Sequence, residues 1–188
     1  MKYVKTIIWY WVGLMLCSSG EKVYTNLNVA LEHPDQVVIL NLNKQKLKHF
    51  PTDIFRLVNL RELHLSKCRL KEVPEGWSAL SQLEVLDLSR NKLESLPESM
   101  GELTALKKLI LNRNEIYRLP DCFTNLKSLE YLDLWSNHVY EIPAGMEGIS
   151  SLKTIDMRGI VVYPEQQEEL NQRFSNAEII FDRSCNCK

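Results

Sequence analysis

Apolar residues return along this chain with a fixed period. Six segments led by an aliphatic residue start at Val37, Leu60, Leu83, Leu106, Leu129 and Leu152, each 23 residues after the last. In the third, LEVLDLSRNKLESLPESMGELTA, positions 1, 4 and 6 are Leu83, Leu86 and Leu88. That spacing predicts a short strand with Leu86 and Leu88 on one side and Val85 and Asp87 on the other. Positions 11, 14, 17 and 20 are expected inward as well, through Leu93, Leu96, Met100 (one step late) and Leu103. One such side chain contributes about 1.5–3 kcal/mol on burial. One unit cannot close a core alone, so the units are predicted to stack as coils of a solenoid.

Proline recurs once per unit, at Pro51, Pro74, Pro97, Pro120 and Pro143. A fixed φ and a missing N–H end the strand side there and turn the chain outward. Position 9 carries Gln45, Cys68, Asn91, Asn114, Asn137 and then Ile160. An inward Asn in each coil can pair backbone groups that would otherwise be buried without partners.

The pattern LxxLxLxxNxLxxLP over Val37 to about Ser151 resembles the leucine-rich repeat family, in its 23-residue class. The resemblance implies an α/β fold: a right-handed solenoid with one parallel strand per coil on a concave face. It implies that position 9 forms an asparagine ladder, built here by Cys68, Asn91, Asn114 and Asn137. It also implies binding of another macromolecule rather than catalysis.

The two ends depart from the period. Residues 1–20 join Lys2 and Lys5 to the uncharged run TIIWYWVGLMLCSSG. A basic start, a short apolar stretch and small residues make an export signal. Ile7 to Cys17 is too short for a spanning helix, which needs about 20 residues. Cleavage after Ser19 or Gly20 is one outcome. The other is lipidation of Cys17, since Leu14-Met15-Leu16-Cys17 resembles a bacterial lipoprotein signal, although Leu16 stands where that family has Gly, Ala or Ser. Residues 21–36 are expected to form a helical cap, with Tyr24, Leu27, Ala30 and Leu31 at helical spacing. The solenoid is expected over 37–157. Residues 158–182 are expected to close it, with a helix opened by Pro164 that turns Leu170 and Phe174 inward, then a strand over 177–181. Residues 183–188 form a tail. Short bacterial leucine-rich repeat proteins end in a similar helix and strand.

Composition adds few constraints. A formal net charge of −1 gives no reason to expect nucleic acid, which calls for a basic domain. No cofactor or metal is implied: the four histidines fall on different coils, and Cys185-Asn186-Cys187 lacks a second ligand pair. A bridge from that tail to Cys122 is the alternative use of its thiols. No GxSxG, HExxH or glycine-rich phosphate loop occurs. Asp87, Asp133 and Asp156 share position 5, and strands about 4.8 Å apart would bring the last two together. A solvated polar column is the simpler account of them.

The outward strand positions carry the functional expectation. Tyr131 and Trp135 lie on one side of one strand, with Ile110 and Arg113 on the strand before and Arg158 on the strand after. Exposed Trp, Tyr and Arg dominate interface energetics. With Asp87 and Asp133 these residues are expected to bind a protein partner. Tyr131 and Trp135 could alternatively stack on a glycan. A structural envelope protein held to the membrane only through Cys17 is a third reading. The row Lys44, Lys67, Arg90, Arg113 would make either an anionic-ligand stripe or a solvated edge. In every reading the protein is exported: secreted, periplasmic or attached to the cell envelope.

Overall fold

The computed structural model describes residues 22–182. The expected signal over 1–20, with Cys17, and the tail with Cys185 and Cys187 lie outside them. Eight parallel strands form one open sheet in sequence order. They are β1 (Val23–Tyr24), β2 (Ile39–Asn41), β3 (Glu62–His64), β4 (Val85–Asp87), β5 (Lys108–Ile110), β6 (Tyr131–Asp133), β7 (Thr154–Asp156) and β8 (Glu178–Ile180). This is the solenoid of stacked coils that the period predicts, with the single curved parallel sheet that the resemblance implies. Its register is set by the repeat: Leu40, Leu63, Leu86, Leu109, Leu132, Ile155 and Ile179 stand side by side. The first six are at most marginally accessible, and Ile179 is 8% exposed.

The return path of each coil differs from the expected spacing. The buried positions are 18 and 21, not 17 and 20. Ile54, Trp77, Met100, Phe123 and Met146 occupy 18, and Leu57, Leu80, Leu103, Leu126 and Ile149 occupy 21, all buried. The proline explains the shift. Pro51, Pro97 and Pro120 each open a 3-10 turn, over Thr52–Arg56, Glu98–Glu102 and Asp121–Asn125. Three residues per turn place every third side chain inward. Trp77 packs on Phe50 and Phe55, with ring centroids 5.4 and 5.5 Å away. A Cβ on Gly76 would come within 3.0 Å of the Phe55 ring, and its φ of 115° suits glycine.

The N-terminal end corrects the helical expectation. Tyr24 is on a strand, paired with Leu40. The helix α1 is one turn, Leu27–Ala30, because Asn26 caps it by accepting from the N–H groups of Asn28 and Val29. At the other end helix α2 runs from Pro164 to Arg173, with the Tyr163 N–H donating to Gln166 Oε1 at 3.0 Å. Phe174 is 3% exposed and Leu170 packs partly buried against the core. Arg173 ties α2 to the fifth coil by donating to the carbonyls of Ile142 and Pro143 and to Glu147.

Candidate functional site on the concave face

Two hydrogen-bond series hold the face in shape. The inner one is the position 9 ladder. Asn91 accepts from the N–H groups of Cys68 and Leu70, both at 3.0 Å, and donates to the carbonyls of Leu65 and Leu88. Asn114 and Asn137 repeat this one and two coils later, accepting from Leu93 and Ile116. Cys68 donates its thiol to the Leu42 carbonyl at 3.2 Å, and burial raises its pKa, which suppresses thiolate chemistry. At the first coil, Gln45 donates to the Thr25 carbonyl.

The outer series is carried by position 5. Asn41, Asp87, Asp133 and Asp156 each accept the N–H two residues on, at 2.9 to 3.1 Å. The short side-chain oxygen closes a local turn on a backbone donor that faces away from the next strand. This corrects the expectation of a merely solvated column. Asp133 is 8% exposed and Asp156 2%. Asp133 also accepts from Asn112 Nδ2 at 2.6 Å, and Asp156 is gripped by Arg158 through Nε at 3.0 Å and Nη2 at 2.6 Å. Burial is the main cause that raises the pKa of Asp133, and the Asp156 charge adds to it. Both carboxylates are thus committed to bracing the strand ends. Asp87 is half-buried and braces Ser89. His64 and Ile110 interrupt the series; in the second coil the Ser66 N–H donates instead to Asn43 Oδ1 at 2.6 Å, and the Ile110 side chain has no acceptor.

The backbone after each strand is left-handed at position 8: Lys44, Lys67, Arg90, Arg113 and Ser136 have φ between 55° and 65°, and Gly159 has 70°. At Gly159 the missing side chain matters. A Cβ there would meet the Trp135 indole at 3.2 Å. Trp135 therefore lies down over the sixth coil instead of standing free. The Arg113 guanidinium sits 4.5 Å from its ring centroid and that of Arg158 5.9 Å. Tyr131 is partly buried, with Lys108 Nζ 5.3 Å from its ring centre. Desolvation, and then the charges of Asp133 and Asp156, push the Tyr131 phenol pKa up. The structure brings Tyr131, Trp135, Arg113, Arg158 and Ile110 into one patch over β5–β7. Asp133 lies beneath it as a buried brace. Asp87 lies one strand further away.

Sequence reasoning missed three features here. The position 5 braces were legible as Asn or Asp two residues before an outward residue. The clamp on Trp135 depended on Gly159, one repeat later, and no local motif announces it. A cleft of about 360 Å³ between the fifth coil and α2, lined by Tyr140, Ile142, Val161, Tyr163, Leu170 and Arg173, needed the helix placement.

A family model for the leucine-rich repeat region matches residues 25–177. The chain belongs to the leucine-rich repeat family. A leucine-rich repeat protein of Leptospira interrogans is 29% identical at a TM-score of 0.69, over 87% of this chain and 47% of that one. The ectodomain of the Arabidopsis thaliana receptor kinase GASSHO1/SCHENGEN3, solved with Casparian strip integrity factor 2, is 30% identical at 0.64, over 78% of this chain and 18% of that one. Internalin C2 of Listeria monocytogenes, at 21% identity and a TM-score of 0.65 over 80% and 64%, shares the fold. The chain thus spans less than half the length of the first two. No match was found among curated proteins. The leucine-rich repeat architecture commonly serves macromolecular recognition, and one of these neighbours is a receptor ectodomain with its ligand. Among the described residues no helix is long and apolar enough to cross a membrane.

Proposed function

We propose that the protein is an exported, non-catalytic recognition module that binds a protein partner through the concave face of coils four to six. The observation that carries this is the Trp135 clamp. A large aromatic surface is held in one orientation by Arg113, Arg158 and Gly159, so little rotamer freedom is lost on binding. Aromatic and arginine anchors on a rigid support are the residue types that dominate interface energies. Ile110 and Tyr131 supply apolar area beside it, and Lys108 and the two arginines supply the rim. The glycan reading is the weaker one, because Arg113 already covers the Trp135 ring where a sugar would stack.

The test is retrieval of the partner from the native envelope fraction with the wild-type protein and with Trp135→Ala. A partner retained equally by a folded Trp135→Ala protein moves the site elsewhere and favours a structural role. The export reading rests on residues 1–20 and has its own test. The mature protein should begin at Cys17 with a diacylglyceryl mass, or near residue 20 without one. A native protein whose intact mass retains Met1 removes it.

A further inference from the structure

We propose that positions 8 and 10 of the first three coils form a second site, which binds a linear acidic polysaccharide along the solenoid axis. Lys44, Lys67 and Arg90 occupy position 8, and Lys46, Arg69 and Lys92 occupy position 10; all six are exposed. Position 9 points inward between them, so both rows stand on the same lateral face. Among the described residues none of the six joins an ion pair.

Position 2 of the repeat shows what an inert charged row looks like. Across coils two to six, after Val38 in the first coil, it reads Arg61, Glu84, Lys107, Glu130, Lys153, alternating in sign, with Glu84 bonded to Lys107 at 2.6 Å and Glu130 to Lys153 at 2.5 Å. That row neutralises itself. The position 8 and 10 rows place like charges one strand spacing apart, which is unfavourable until an anion neutralises them. Lys44, Lys67, Arg69 and Arg90 also hold φ of 55° to 65°, a region that Gly or Asn enters at lower cost. Repulsion and backbone strain both favour other residues here, and long cations stand at all six positions.

The shape of the strip selects the ligand. It is two residues wide, at most about 7 Å of chain, and runs about 10 Å across three coils. Glu94 and Glu115 border it, one coil step from Lys71 and Lys92 respectively along their own positions. A flat anionic membrane or a nucleic-acid duplex would be pressed onto those carboxylates. A single polysaccharide strand with regularly spaced anions can follow the cations and avoid them.

The test measures binding of dextran sulfate, neutral dextran, duplex DNA and phosphatidylserine-containing vesicles to the full chain. Dextran sulfate should bind, with affinity falling as salt rises, and neutral dextran should not. Lys44→Asn, Lys67→Asn and Arg90→Asn together keep a residue that tolerates the left-handed backbone. They should lower dextran sulfate affinity at least tenfold while raising the thermal midpoint, because repulsion and backbone strain are both relieved, and Lys67→Asn alone should lower the affinity by a smaller factor. Lys107→Asn, Lys127→Asn and Lys153→Asn remove the same charge elsewhere and should change it less than twofold. Trp135→Ala should leave it unchanged, which separates this site from the concave one. Equal losses in the two triple variants, no binding of dextran sulfate, or tighter binding of DNA or vesicles would each overturn the proposal.

Discussion

The concave surface of coils two and three and that of coils five and six share one backbone and differ in what they display. At position 7 the former carry Ser66 and Ser89, whose hydroxyls bond each other at 2.9 Å. The latter carry Trp135 and Arg158 at the same position, held together over Gly159. The backbone N–H beneath each of these residues is accepted by a side-chain oxygen: that of Ser89 by Asp87 and that of Ser66 by Asn43 in one region, those of Trp135 and Arg158 by Asp133 and Asp156 in the other. A self-satisfied serine pair leaves little for a partner. A fixed indole beside two guanidinium groups offers area and charge. The comparison teaches that the repeat sets the scaffold and that function follows from where the repeat's surface stops being uniform.

The comparison breaks most severely if the shared scaffold is damaged. Leu109 is fully buried in the central coil. Leu109→Ala should cost about 2–5 kcal/mol through lost burial and a cavity. Asn114→Ala should cost about 1–3 kcal/mol, since it strands backbone groups of two coils. Chemical denaturation measures both, and neither change should act preferentially on one region's surface.

The next effect separates the regions. Trp135→Ala should weaken partner binding by about 2 kcal/mol, roughly thirtyfold. Ser66→Ala and Ser89→Ala should leave binding unchanged. The outward strand position of Trp135 taken alone makes its truncation nearly neutral for stability. The structure changes that expectation, because the ring is half-buried and stacked by arginine. Its truncation should also lower stability by about 1 kcal/mol. Titration calorimetry and thermal melts on the same variants distinguish the two quantities.

Asp133 gives the smallest effect, and it has a sign. Its pKa is raised in the folded state by burial. A raised carboxyl pKa favours folding fully below the unfolded value and loses that contribution as pH rises through the folded one. Asp133→Asn keeps an oxygen for the Trp135 N–H and removes the buried charge. The variant should therefore gain stability relative to wild type as pH rises from the ordinary carboxylate range through the raised folded-state value. A gap in thermal midpoint that shrinks over that range would contradict the assignment.

Much of this scaffold was legible in the sequence because period, register and burial are one fact in a solenoid. Leu86 cannot move without moving Leu63 and Leu109. The 18 and 21 spacing was misjudged because the prolines impose three residues per turn, which the strand pattern does not reveal. The N-terminal strand was read as helix because Tyr24, Leu27 and Leu31 stand three and four residues apart, and the two-residue strand Val23–Tyr24 is too short to show an alternation of its own. The site was legible as residue types on an outward face. Its geometry was not: Asp133 lies buried below the patch, and the Trp135 orientation depends on a residue one coil later.

The most direct test places a photoactivatable side chain at two matched points of the concave sheet. Tyr131 and Ile39 occupy the same strand position, on β6 and β2. On irradiation in the native envelope, the probe at Tyr131 should form one dominant protein adduct that Trp135→Ala abolishes, and the probe at Ile39 should form none. Equal adducts at both positions, or adducts at Tyr131 that survive Trp135→Ala, would contradict a partner site confined to coils four to six.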